Sequence, residues 1–303
     1  MKKLISNEYP FTSQSIKING HNMHYVDEGN GEVVVMLHGN PDWSFYYRHL
    51  IKQLSTQYRV IAPDYIGCGF SDKPGLTAYP YTLERRIEDI TTFLSKMGID
   101  KPFTLMVHDW GGPIGFGYAV QHPDTIKKLI VANTSIFPIR PDAHLPAAVR
   151  FARTKLGKWM ILHFNLYVQM ANRFCCKRKP LTHELRHDYA APYDSPDHRV
   201  AILQFVREIP TQLTASSYIT LNLIRDKLSV LKNKPMLLLW GNADVVFGPK
   251  ILKLWKDCFP LAEVHEFADC GHYVCEDAAD LIEPLIKNFI VNGEQSTYAR
   301  YLS

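Results

Sequence analysis

"LMVHDWGGPIGFGYAVQHP", residues 105–123, decides how this chain is read. Its first residues close a strand-like run, "FTLMVH" at 103–108. Gly111 and Gly112 then lead into a helix-like stretch over 113–122. A sharp turn between strand and helix pushes its central side chain, Asp109, into the cleft above a sheet edge. Glycines after the turn remove side chains that would clash as the helix packs down. The backbone N–H of Trp110 falls at the helix N-terminus, where peptide dipoles favour negative charge. Asp109 is therefore either a helix N-cap, a common role for aspartate, or a carboxylate presented to a ligand.

Working outward, further short runs rich in Val, Ile and Leu flank this turn. They are "EVVVMLH" (32–38), "YRVIAPD" (58–64), "KKLIVAN" (127–133) and "KPMLLLWG" (234–241). Continuous apolar runs of this length suit strands covered on both faces, as in a parallel sheet. Helical patterns at 83–97, 113–122 and 279–291 alternate with them, which predicts an α/β fold with helices on both faces of a mostly parallel sheet. "SIKINGHNMHYVDEG" (15–29) reads as a leading antiparallel hairpin. The alternation lapses after Pro138 and resumes near Lys234, too long a gap for a plain connection. Residues 136–213 are read as an inserted helical cap between two parts of one core, 1–135 and 214–303. Such a cap covers the C-terminal edge of the sheet, where open α/β sheets bind ligands. "KWMILHFNLYV" within it either lines a cavity for alkyl chains or packs as an ordinary helix face. His163, Asn165 and Gln169 interrupt that run and argue against membrane insertion, and "CCKRK" (175–179) reads as a solvated loop.

Composition narrows the function classes. A 46% hydrophobic content is ample for a core, and a formal charge of +4 is too mild for a nucleic-acid-binding surface. No run of eighteen apolar residues predicts a transmembrane helix. "MKKLISNEYPF" lacks the apolar centre of a signal peptide. The six cysteines form no CxxC pairs, so neither zinc nor a disulfide framework is expected, and a reducing cytoplasmic setting is.

Three more motifs bear on Asp109. "LLLWGNADVVFGP" sets Asp244 just past a strand, and "HEFADCGHYVCEDAAD" sets His272 in a turn after the last strand-like run. Nucleophile, acid and histidine in that chain order are the pattern of α/β-hydrolase triads, whose nucleophile turn normally centres on serine. "MLHGNPDWSFYYRHL" turns the chain over the sheet edge at Asn40, whose side-chain and backbone N–H groups can hold an anion, as can the indole N–H of Trp110. Plain structural roles exist for each: His272 as a helix cap, Asn40 as a turn residue beside Pro41. Together, though, the set predicts covalent catalysis. A carboxylate is already charged, needs no base, and attacks electrophilic carbon to give an ester. His272 and Asp244 then activate water or manage a proton as the ester breaks down. No metal or other cofactor is needed.

"HGNPDWSFYYRHL", "YRVIAPDYIGCGFSDKP", "VHDWGGPIGFGYA" and "DCGHYVCEDA" resemble the Asp-nucleophile branch of the α/β-hydrolase superfamily, over nearly the whole chain. That branch holds haloalkane dehalogenases, epoxide hydrolases and coelenterazine luciferases. "YAAPYDSPDHRVAILQFVREIP" (189–210), "NTSIFP" (133–138) and "YPFTS" (9–13) resemble bacterial β-lactone decarboxylases of long-chain olefin biosynthesis. The resemblance implies conversion of a cis-3,4-dialkyl-oxetan-2-one into a cis-alkene and carbon dioxide. It implies Asp109 as nucleophile, His272 and Asp244 completing the triad, and Asn40 with Trp110 stabilising negative charge. It also implies an assembly with a β-lactone synthetase and upstream enzymes. Haloalkane dehalogenase is the first alternative, since it uses the same residues. Epoxide hydrolase would need two cap tyrosines from among Tyr167, Tyr189, Tyr193 and Tyr218, and a non-catalytic ligand-binding protein on this scaffold would keep the triad idle.

Overall fold

A computed structural model describes residues 6–138, 145 and 147–301. Eight strands form one sheet: β1 (Gln14–Ile18), β2 (His21–Glu28), β3 (Val33–Leu37), β4 (Arg59–Pro63), β5 (Phe103–His108), β6 (Ile126–Ala132), β7 (Met236–Gly241) and β8 (Glu263–Phe267). Their order across the sheet is β1-β2-β4-β3-β5-β6-β7-β8. The β1–β2 hairpin pairs antiparallel and β2 joins β4 antiparallel, while every later pairing is parallel.

The apolar runs become the central strands because the sheet is covered on both faces. Along β5, Leu105 and Val107 point into one core, with Val35, Leu37, Leu129 and Val131. Met106 points into the other, with Val34, Met36, Ile130 and Leu237. Alternate side chains of a strand face opposite ways, so a strand buried on both sides is apolar at most positions, and Thr104 and His108 are the buried polar residues of β5.

The helices are α1 (Arg48–Leu54), α2 (Leu83–Lys96), α3 (Gly111–Ala119), α4 (Ala147–Ala152), α5 (Lys155–Phe164), α6 (Leu166–Phe174), α7 (His183–Ala190), α8 (Val200–Glu208), α9 (Ser216–Asp226), α10 (Pro249–Cys258), α11 (Val274–Asp277) and α12 (Ala279–Tyr301). The chain puts Thr82 before α2, Thr154 before α5 and Thr182 before α7, and each hydroxyl accepts an N–H of the first turn. Helices α2, α3 and α10 supply the first core with Ile87, Phe93, Phe116 and Trp255, and α1 and α12 supply the second with Ile51, Leu54, Ile282 and Ile286. Helix α9 packs on α2 and α3.

Between β6 and α9 run α4–α8. Residues 139–144 and 146, where the expected cap begins, lie outside the described residues. The "CCKRK" stretch is not a free loop. The Lys177 and Lys179 amides donate to the Asp277 carboxylate at 2.7 and 2.8 Å, and Cys176 is buried. Asp277 also accepts from Gly271 N at 2.7 Å, so one fully buried carboxylate joins the inserted segment to the turn that carries His272. The Lys177 and Lys179 side chains are exposed, as the lysine-rich composition suggested, while backbone amides, invisible to composition, fix the stretch.

A second tie lies nearby. Arg48 of α1 is 1% exposed and holds the Glu276 carboxylate of α11 with both terminal nitrogens, one at 3.0 Å. The Tyr189 hydroxyl of α7 donates to the same carboxylate at 2.6 Å. Removing one partner of a buried pair leaves the other charge uncompensated, at a cost of about 3–5 kcal/mol. Glu276→Ala is expected to lose about that much in urea unfolding, and Glu276→Gln, which keeps hydrogen-bonding atoms, distinctly less.

Candidate active site

The site lies at the C-terminal ends of five neighbouring strands. Asn40 follows β3, Asp109 follows β5, Asn133 follows β6, Asp244 follows β7 and His272 follows β8. Parallel strands bring together loops that lie far apart in sequence.

Asp109 has a backbone φ of 48°, left-handed and strained for a residue with a side chain. Such a conformation costs roughly 1–3 kcal/mol and persists only where its surroundings enforce it. Here the enforcement is dense. Asp109 N donates to Asn133 O at 3.2 Å, Gly112 N donates to Asp109 O at 2.9 Å, and the Thr134 hydroxyl donates to the same oxygen. Two glycines leave the necessary room. A Cβ on Gly39 would sit 2.4 Å from Asp109 Cβ, and one on Gly111 would sit 2.0 Å from Leu37 O.

The Asp109 carboxylate is buried, with Oδ2 accepting the Asn40 backbone amide at 2.7 Å. Oδ1 faces His272 Nε2 at 3.9 Å, beyond hydrogen-bond reach. On its other side, His272 Nδ1 meets Asp244 Oδ2 at 2.9 Å. Asp244 in turn accepts Asn133 Nδ2 at 2.9 Å and Val246 N at 2.7 Å. The three residues predicted as a triad are thus in line, and each carboxylate has backbone or amide donors.

The charges interact through a dry setting. Burial pushes the Asp109 carboxyl up, and the imidazoles of His272 and His108 and the Asn40 amide pull it back only in part. Asp244 goes the other way: burial raises it, but the His272 charge and hydrogen bond outweigh burial and lower it. Burial lowers His272, yet the Asp244 charge and hydrogen bond, with Asp109 behind them, raise it to about 9. The Asp244 carboxylate thus favours the protonated form of His272, which faces Asp109 on its other side.

Asn40 lies beside Asp109, with its peptide bond to Pro41 cis. Its backbone amide is used on Asp109 itself. Its side-chain nitrogen is 3.5 Å from Ile202 O of α8, a marginal bond, and its Oδ1 is buried with no hydrogen-bond partner among the described residues. Trp110 immediately precedes α3, is half-buried, and tilts against Phe205 of α8 at 5.3 Å. His272 does not cap the helix after it; Tyr273 holds that position.

Sequence reasoning missed three residues. Asn133 has a φ of 25° and clamps the β7 end by accepting Gly241 N at 2.8 Å while it holds Asp244. His108 is fully buried, stacks on Tyr46 at 4.3 Å, and its Nε2 contacts the carbonyl of His272 at 2.9 Å. Asp42 is fully buried, with Oδ2 3.6 Å from His108 Nδ1. A positive φ and a contact across 164 residues leave no local trace. Of the cap tyrosines, Tyr189 is bound to Glu276, and the Tyr193 hydroxyl donates to Asp42 O at 3.0 Å while accepting Gly69 N at 3.2 Å. Tyr167 of α6 lies against Asn40, with burial first and the Asp109 charge second raising its hydroxyl pKa.

Known proteins resemble this chain along most of its length. The family model described as the alpha/beta hydrolase fold matches residues 32–279. A cis-3-alkyl-4-alkyloxetan-2-one decarboxylase of Shewanella oneidensis is 42% identical over 94% of this chain and 90% of its own length. Haloalkane dehalogenase 2 of Mycobacterium bovis is 32% identical over 92% of this chain and 94% of its own. The crystal structure of a haloalkane dehalogenase from Bradyrhizobium elkani superposes with a TM-score of 0.85 at 25% identity, covering 94% of this chain and 99% of that one. With a family model over residues 32–279 and relatives matched along almost its entire length, the chain belongs to the α/β-hydrolase family, among the oxetanone decarboxylases and haloalkane dehalogenases.

Proposed function

We propose that this protein is a β-lactone decarboxylase that converts a cis-3,4-dialkyl-oxetan-2-one into a cis-alkene and carbon dioxide. The observation that carries the reading is the buried Asp109 carboxylate, one oxygen held by Asn40 and the other facing His272, in a chain 42% identical to a decarboxylase of that name. Asp109 is assigned as nucleophile, His272 and Asp244 as its partners, and Asn40 and Trp110 as the anion holders. Residues 136–213 are assigned as the cap that excludes water.

The chemistry follows from which oxygen is free. Oδ2 is occupied by the Asn40 amide, so Oδ1 attacks the ring carbon that bears the ring oxygen. That carbon–oxygen bond breaks, strain is released, and the lactone carboxylate leaves toward Asn40 and Trp110. Attack from the rear inverts the carbon. The new ester oxygen then stands anti to the freed carboxylate, aligned for elimination. Loss of carbon dioxide supplies the electron pair for the double bond and expels Asp109 as a carboxylate. Inversion followed by anti elimination turns a cis-lactone into a cis-alkene. No water is consumed and nothing is oxidised. The His272 imidazolium, held by Asp244, stabilises Asp109 as it departs.

A dehalogenase begins with the same ester but finishes with water, for which His272 must be neutral. The likeness to haloalkane dehalogenase structures keeps that second reading in play. Halide release from haloalkanes, with no alkene from the lactone, would establish it. A cytoplasmic setting and an assembly with a β-lactone synthetase rest on the family resemblance and belong to this proposal.

Incubation with a cis-dialkyl β-lactone and gas chromatography should reveal the cis-alkene, and Asp109→Ala should remove it entirely. Retained alkene formation in that variant would refute covalent catalysis by Asp109. His272→Ala should slow breakdown of the ester more than its formation, so that intact-protein mass spectrometry finds an adduct of the lactone's mass; an unmodified protein counts against the scheme. The pH profile of kcat/KM reports the free enzyme. It should rise on the acid side as Asp109 ionises, displaced above the ordinary carboxylate range by burial. It should fall as pH climbs through about 9, where His272 loses its proton. A rate that instead increases through that pH assigns His272 as a base.

A further inference from the structure

The cap has a second apolar face, turned away from the site. Ile161 of α5 and Val168 of α6 are buried, and Tyr167 reaches Asn40. On the outer side of the same two helices, Leu156 is 57% exposed, Trp159 49%, Phe164 60% and Phe174 51%. Trp159 and Phe164 meet edge to face at 4.9 Å across the surface. A run that the sequence suggests as a cavity lining is therefore divided, its largest aromatics facing out.

The charge around these side chains is one-sided. From Ala143 to His183 there is no Asp or Glu, against eight Lys and Arg. Since the whole chain carries +4, this run carries +8 and the remainder a net −4. Arg178 and Lys179 are paired with Asp280, and Arg153 donates to carbonyls at the end of α8. Arg150, Lys155, Lys158, Arg173 and Lys177 are exposed, and among the described residues no acidic side chain pairs with them.

We propose that the outer face of α4–α6 docks on the surface of a bilayer containing anionic phospholipid. Exposed Trp and Phe enter the headgroup boundary, while Lys and Arg around them meet lipid phosphates. Among the described residues no helix is long and apolar enough to cross a membrane, so the chain lies on the bilayer. A protein partner would need an acidic rim to match this face; an anionic bilayer meets it with charge and hydrocarbon together. The inference is independent of the reaction proposed above.

Flotation of the purified chain with vesicles tests it. The protein should float with phosphatidylcholine vesicles containing phosphatidylglycerol, not with phosphatidylcholine alone, and binding should weaken as salt rises. Lys155→Glu/Lys158→Glu and Trp159→Ser/Phe164→Ser should each weaken binding by at least about tenfold, with unchanged thermal midpoints because all four side chains are exposed. Lys101→Glu/Lys232→Glu, at the opposite edge of the sheet, removes equal charge and should bind like the parent. The proposal is overturned if the parent ignores anionic vesicles at low salt, or if the cap variants float as well as it does. It is also overturned if the parent fails to float and is a dimer that the cap variants convert to monomer, which assigns the face to a second copy.

Discussion

One buried carboxylate sets the terms for the rest of this molecule. As the proposed nucleophile Asp109 would have to be ionised, yet it is buried, where an isolated charge is unfavourable. Burial raises its pKa, and only the fixed groups around it keep the charged form accessible: the Asn40 amide and the imidazoles of His272 and His108. Each depends on its own support. His272 carries a proton because Asp244 is ionised, and Asp244 is ionised because Asn133, Val246 and His272 stabilise it. Polar networks in low dielectric are favourable only when nearly complete, which explains why the loops at five strand ends are hydrogen-bonded to one another.

The same requirement accounts for the backbone. A left-handed Asp109 presents its side chain at the mouth of the sheet, and the strain is held by Asn133 O, Gly112 N and Thr134. Gly39 and Gly111 exist as glycines because Asp109 and the end of β3 occupy the space a side chain would need. Asn133 serves backbone and charge at once, accepting from Gly241 and donating to Asp244, so the geometry of β6 and β7 and the charge state of the histidine are one constraint.

The inserted segment packs against this polar floor, with Tyr167 of α6 beside Asn40 and Phe205 of α8 against Trp110. It is joined to the core where chemistry is not done: Asp277 takes the Lys177 and Lys179 amides, and Arg48, Glu276 and Tyr189 form a buried cluster. These anchors leave α5 and α6 with two working faces. One brings Tyr167 to Asn40, and the other turns Trp159 and Phe164 toward solvent amid exposed cations. An apolar outer face ringed by cations is what the proposed docking on an anionic bilayer uses.

The sequence by itself determined the sheet and singled out the candidate catalytic set. Runs such as "MLLLW" can be satisfied only by strands covered on both faces, and Asp109, Asp244 and His272 each stand just past such a run, where parallel strands deliver their loops. Their identities and order were legible because strand ends are local features. What only tertiary structure decided are relations between distant residues. Asn133 looked like any strand end, His108 like a strand residue and Asp42 like a turn residue, until strand pairing brought them against Asp244, His272 and each other. The direction of Trp159 and Phe164 was equally hidden. Apolar spacing says that a helix has a greasy side, but not whether neighbouring chain will cover it, and that depends on packing between segments the sequence does not order in space.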